Sequence, residues 1–97
     1  MNCLWSVSEI CYDDFAEKIV AAVGKREYFS GDFYSHTPDV SYRLELSIAI
    51  YRDQKSGEVV DVAFVWWDCT TIVEDEDGGQ SFMPNDFDID RLYELLV

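Results

Sequence analysis

The sequence predicts an α+β domain: an antiparallel three- or four-stranded meander with N- and C-terminal helices packed on one face, in the order α-β-β-β-(β)-α. Three observations carry that prediction. Residues 41–52 alternate, with Tyr42, Leu44, Leu46, Ile48 and Ile50 on one side and Ser41, Arg43, Glu45, Ser47 and Ala49 on the other. This is the period of a half-buried strand. Near the N-terminus, Phe15, Ile19 and Val23 recur at four-residue steps with Ala16 and Val20 beside them, the stripe of an amphipathic helix. A second short stripe closes the chain, and a sheet with one apolar face needs such helices to cover it. Ninety-seven residues, 48% of them hydrophobic, make one domain, 1–97, with a single core.

The first helix has two candidate starts. Ser6 and Glu9 have capping-box spacing, and Ser8 competes as N-cap. Asp13 and Asp14 suit an early turn, where the helix dipole favours negative charge. Gly24 supplies the stop, followed by Lys25 and Arg26 near the negative end. Residues 28–36 form the first strand, rich in aromatics but interrupted by Gly31. Residues 58–73 are apolar on both faces, as a well-covered strand should be. Gln80 to Met83 is the candidate fourth strand. In the last helix Asn85 or Asp88 is the N-cap after Pro84, and Leu92, Leu95 and Leu96 form the stripe with Phe87 and Ile89.

Turn lengths then set the register. The turn Thr37-Pro38-Asp39-Val40 places His36 opposite Ser41, Phe33 opposite Leu44, Gly31 opposite Leu46 and Phe29 opposite Ile48. A loop from Asp53 to Gly57 places Arg52 opposite Glu58. Ile50 then meets Val60, Ile48 meets Val62, Leu46 meets Phe64 and Leu44 meets Trp66, all apolar pairs. On this register the outer face carries Tyr34, Arg43 and Trp67 in one row, with Val65 beside Trp67 and Asp61 outward opposite Ala49. Aromatics and Arg are the types enriched at interface hot spots. Tyr34, Arg43, Val65 and Trp67 are therefore a candidate binding patch. The competing expectation is that the C-terminal segment or Leu4-Trp5 folds over it.

Charge narrows the classes of partner. Twenty Asp and Glu face seven Lys and Arg, a net charge of −13. The excess concentrates late in the chain. Asp68, Glu74, Asp75, Glu76, Asp77, Asp86, Asp88, Asp90 and Glu94 stand against Arg91 alone, and these nine form the candidate acidic surface. Direct binding to nucleic-acid phosphates or to an anionic membrane runs on cationic side chains and is disfavoured. A basic protein partner is favoured. Three cysteines, Cys3, Cys11 and Cys69, are an odd number without paired spacing. This points to a reducing, cytoplasmic compartment. The chain also lacks a signal-peptide pattern and any apolar run of about 20 residues.

Catalytic and metal chemistry finds little purchase. Aligning Asp75 and Asp77 with positions 3 and 5 of a calcium loop puts Gly78 at position 6, but position 1 falls on Val73 and position 12 on Pro84. Nothing in the sequence brings His36 to a particular cysteine, so a Cys–His nucleophile has no support. The expectation is a non-enzymatic acidic interaction domain that needs no cofactor. It binds a basic protein partner, and its most concrete form is an inhibitor that mimics nucleic acid. Two alternatives compete: a homodimeric adaptor or chaperone-like module using the aromatic sheet face, and a carboxylate- or calcium-dependent enzyme.

Overall fold

A computed structural model describes residues 5–97, so Cys3 and Leu4 lie outside the described residues. Helix α1 (Glu9–Val23) is followed by strands β1 (Tyr28–His36), β2 (Ser41–Arg52), β3 (Val59–Glu74) and β4 (Gln80–Pro84), and by helix α2 (Ile89–Leu96). The strands form one antiparallel sheet in the order β1-β2-β3-β4. The α+β meander stands, and its fourth strand is present.

Helix α1 begins at Ser8, whose side chain makes no capping bond, rather than through a Ser6–Glu9 capping box. It ends at Gly24, where a φ of 54° favours glycine and the amide donates to the Val20 carbonyl at 3.1 Å. Arg52 reaches across from β2 and donates to the Gly24 carbonyl at 2.7 Å, tying the helix end to the sheet. Helix α2 is capped by Asp88, which accepts from the Asp90 amide. Its buried stripe is Ile89, Leu92 and Leu96, while Leu95 is turned outward. Asn85 does not cap it. The Asn85 amide instead donates to Thr71 Oγ1 at 3.1 Å, satisfying a hydroxyl that is otherwise fully buried.

The core joins Cys11, Tyr12, Phe15, Ile19 and Val23 of α1 to Tyr42, Leu44, Leu46, Ile48 and Ile50 of β2 and to Leu92 of α2. Both helices therefore cover the same face of the sheet. Phe87, just before α2, packs at 4.9 Å against Tyr12, at 6.0 Å against Phe15 and at 5.7 Å against Trp67. The Tyr12 hydroxyl accepts from the Asp88 amide at 2.8 Å. A helix of eight residues is marginal alone, and these aromatic contacts anchor it.

The β1–β2 register follows expectation: His36 faces Ser41, Phe33 faces Leu44, Gly31 faces Leu46 and Phe29 faces Ile48. The β2–β3 register does not. Arg52 faces Val59, Ile50 faces Val62, Ile48 faces Phe64, Leu46 faces Trp67 and Leu44 faces Cys69. The hairpin closes one residue later than a five-residue loop allows. Two irregularities follow, between Tyr51 and Arg52 and between Ser47 and Ile48, leaving Val60 and Val65 as the extra residues of β3.

Each bulge removes a carboxylate from the core. With the closing register continued, Asp61 would face Ile50; the shift at Val60 sets it opposite Tyr51 instead. With the next register continued, Phe64 would be followed inward by Trp66 and Asp68. The shift at Val65 turns Asp68 outward, opposite Glu45, and brings Cys69 and Thr71 inward. An unpaired carboxylate in this apolar core would cost several kcal/mol, ~2–7 even for a polar neutral group. Bulges at such positions are designed features of a strand.

The sheet is long for its cover. The sixteen residues of β3 span about 53 Å at 3.3 Å each, matching the 54 Å long axis of the molecule. Helix α1, with fifteen residues, reaches about 22 Å. The radius of gyration, 14.9 Å, exceeds the roughly 12.5 Å expected of a compact chain this long. The elongation is that of the β2–β3 ribbon.

Candidate functional site

The outer face of the sheet reads as a set of rows. Tyr28, Ala49 and Ala63 form one; Ser30, Ser47 and Trp66 the next; then Asp32, Glu45 and Asp68; then Tyr34, Arg43, Thr70 and Pro84; and lastly His36, Ser41, Ile72 and Phe82. Neither helix packs here, and the Trp5 segment bridges Asn85 rather than folding across the face. Tyr34 is 43% exposed, Trp66 52% and Val65 66%.

The expected patch is thereby revised. Tyr34 and Arg43 do share a row, but its third member is Thr70, not Trp67. Trp67 stands opposite Leu46 on the helix side, packed against Phe87. The bulge at Val65 reverses the parity of everything after it, so Trp66 replaces Trp67 on the outer face. Arg43 is not sandwiched between rings either. Its guanidinium bridges Asp32 at 3.3 Å and Glu45 at 3.2 Å.

Asp61 is also corrected. It faces Tyr51 rather than Ala49, and its carboxylate accepts from both the Val62 amide and the Tyr93 hydroxyl. That carboxylate holds the Tyr93 pKa above the ordinary tyrosine value. Between Val59 and Cys69, β3 has no strand neighbour beyond β2 among the described residues. Both bulges of β3 fall in this stretch, and bulges are one feature by which open sheet edges avoid pairing.

All nine carboxylates of the candidate acidic surface are exposed, but they are not equivalent. Glu74 ends β3, and Asp75, Glu76 and Asp77 make the turn to β4, closed by the Asp75 amide on the Gly79 carbonyl at 2.8 Å. Gly78 adopts φ 83° there, as such hairpin turns require. Asp86 accepts from the Val7 amide at 2.8 Å and Asp88 caps α2, so both hold the fold together. Asp90 and Glu94 project from α2, and Asp68 belongs to the outer sheet face. Among the described residues no three His, Cys, Asp or Glu side chains gather as a metal site.

The thiols and His36 lie apart. His36 Nδ1 is 2.7 Å from Ser41 Oγ across the first hairpin. Cys11 and Cys69 are buried free thiols, and burial pushes the Cys69 pKa up to about 11. Such a thiol is protonated at neutral pH and a poor nucleophile. The apolar cavity between α1, the sheet and Leu96 measures about 90 Å³, with Arg52 at its rim. Open surface clefts of about 390 Å³ at Trp67 and Asn85 and about 500 Å³ at Tyr51 and Asp53 reach the roughly 300–1,000 Å³ of small-molecule sites, but neither is enclosed.

Sequence reasoning missed Trp66 and the carboxylate row Asp32–Glu45–Asp68. One signal was available: Asp68 shares the parity of Val62 and Phe64, so an unbulged strand would bury it. The chain matches no family model, no curated protein and no solved structure.

Proposed function

We propose that this domain is a non-catalytic interaction module that binds a basic protein partner, acting as an inhibitor that presents carboxylates where a cationic groove normally receives phosphates. The observation that carries this reading is the exposure of all nine acids between Asp68 and Glu94, a stretch whose only cation is Arg91. Scale supports it. A single nucleic-acid strand as long as the 54 Å axis would carry about 16 phosphates, and a duplex about twice as many. The net charge of −13 is close to that of one strand, so the cationic groove it suits is a single-strand channel or one that meets one face of a duplex.

Neither nucleic acid nor an anionic membrane is a direct ligand in this reading, because the charge repels both. No helix of the described residues is long and apolar enough to cross a membrane. A reducing, cytoplasmic setting fits the free thiols Cys11 and Cys69. Titration calorimetry against a cationic nucleic-acid-binding protein tests the proposal. The domain is expected to bind more tightly than a scrambled acidic peptide of equal charge, and to compete with nucleic acid. Affinity no better than the peptide's sinks it.

The exposed aromatic side chains of the outer face favour a second reading, a homodimer through that face. Two copies at −13 each oppose it unless salt screens them. Light scattering in moderate salt decides: a monomer at high concentration removes this reading.

A further inference from the structure

On the outer sheet face, Glu45 stands directly opposite Asp68. Like charges so placed on neighbouring strands destabilise a sheet. The adjacent pair in the same row, Asp32 and Glu45, is relieved by the Arg43 guanidinium bridging both. Among the described residues no Lys or Arg pairs with Asp68. The row thus holds three carboxylates, and the guanidinium of Arg43 in the neighbouring row reaches only two of them. Two residues before Asp68, on the same face, is the half-exposed ring of Trp66, about 6.6 Å along the strand.

Resting on the reading of the domain as a module for a basic partner, we infer that this face seats an arginine side chain of that partner between Glu45 and Asp68, with its guanidinium stacked on Trp66. The seat repeats on the partner what Arg43 already does within the chain. A guanidinium suits it better than an ammonium. Its planar fork can pair with two carboxylates at once, and its flat face stacks on an indole ring. Ser30 and Ser47, hydrogen-bonded to each other at 2.7 Å, form the floor beside Trp66. A second copy of this chain is a poorer occupant, since it brings a further net charge of −13. The open face therefore discriminates by charge against self-association and by geometry in favour of arginine.

The test uses two nine-residue peptides, all-arginine and all-lysine, titrated into the full chain at physiological salt. The arginine peptide is expected to bind about tenfold more tightly. Trp66→Ala and Asp68→Asn should each reduce that preference to about twofold or less. Both lie on the outer face, and a cooperative urea transition with a midpoint close to the native value confirms that each variant is folded. Neutralising the distant turn with Asp75→Asn and Asp77→Asn should weaken both peptides by the same factor and leave the preference intact. Equal affinity for the two peptides, or a preference that survives both Trp66→Ala and Asp68→Asn, overturns the seat. So does a dimer that Trp66→Ala dissolves while peptide affinity is unchanged. If a cationic protein binds but the arginine preference is missing, the seat alone is wrong. If no cationic protein binds, the proposed function fails with it.

Discussion

The two faces of this sheet are built from the same four strands, yet one is a core and the other an open aromatic surface. On the helix side, Leu44, Leu46 and Ile48 are almost fully buried beneath Phe15, Ile19 and Leu92. On the other side, Tyr28, Tyr34, Tyr51 and Trp66 remain about half exposed, with carboxylates interleaved among them. Hydrophobicity alone does not separate the faces. What separates them is where the charges fall: alternation in β2 puts Arg43 and Glu45 outward, and two bulges in β3 send Asp61 and Asp68 after them. A helix can settle only on the face from which charge has been removed.

The contrast is broken most directly by truncation. Leu44→Ala, on the covered face, should lower stability by about 3 kcal/mol in urea unfolding, through lost burial and the cavity left behind. A loss below about 1 kcal/mol would mean that the helices pack loosely.

Thiol reactivity probes the same face chemically. In a Cys3→Ser and Cys11→Ala background, Cys69 should react with an aromatic disulfide reagent at pH 8 about 100-fold more slowly in the native protein than in urea, since burial lifts its pKa to about 11 from an ordinary 9.0. Equal rates would show that β3 opens freely around the second bulge.

Smaller effects follow at the polar seam between α1 and β1. Ser35 is buried and its hydroxyl donates to Asp14 at 2.7 Å, which, with help from Lys18, holds the Asp14 carboxyl below its usual range. A carboxyl that titrates lower when folded contributes its full stabilisation above the unfolded pKa, about 3.9, and loses it as the pH falls through the folded value. Ser35→Ala should therefore cost about 1–1.5 kcal/mol at pH 7 and less at pH 3. A cost independent of pH would remove the Asp14 charge from the account.

The smallest effect belongs to the open face. Trp66→Ala should change stability by no more than about 0.5 kcal/mol, although it deletes the largest type of side chain. A loss near that of Leu44→Ala would mean that something covers the face after all.

Much of this architecture was legible before any coordinates. The nearly perfect alternation of residues 41–52 located β2 and its core side, and Gly24 marked the end of α1. The four-residue turn at Thr37 set the first hairpin register correctly, because a short turn leaves the chain little choice. The acids after Asp68 were legible as exposed, since carboxylates are almost never buried unless paired. The patch was only half legible. Tyr34 and Arg43 lie before the irregular strand and were placed correctly, and Val65 is exposed as expected, whereas Trp67 lies after the bulge and was placed on the wrong face.

What the sequence by itself determined is local: which segments pair, which alternate, where helices stop, and a net charge of −13 that selects cationic partners. Only the tertiary structure decided which of two adjacent tryptophans lies on the open outer face. The reason is physical. A bulge has no strong sequence signature; it arises when the cost of burying Asp61 or Asp68 exceeds that of disrupting one step of the ladder. That balance exists only once two helices have claimed one face of the sheet.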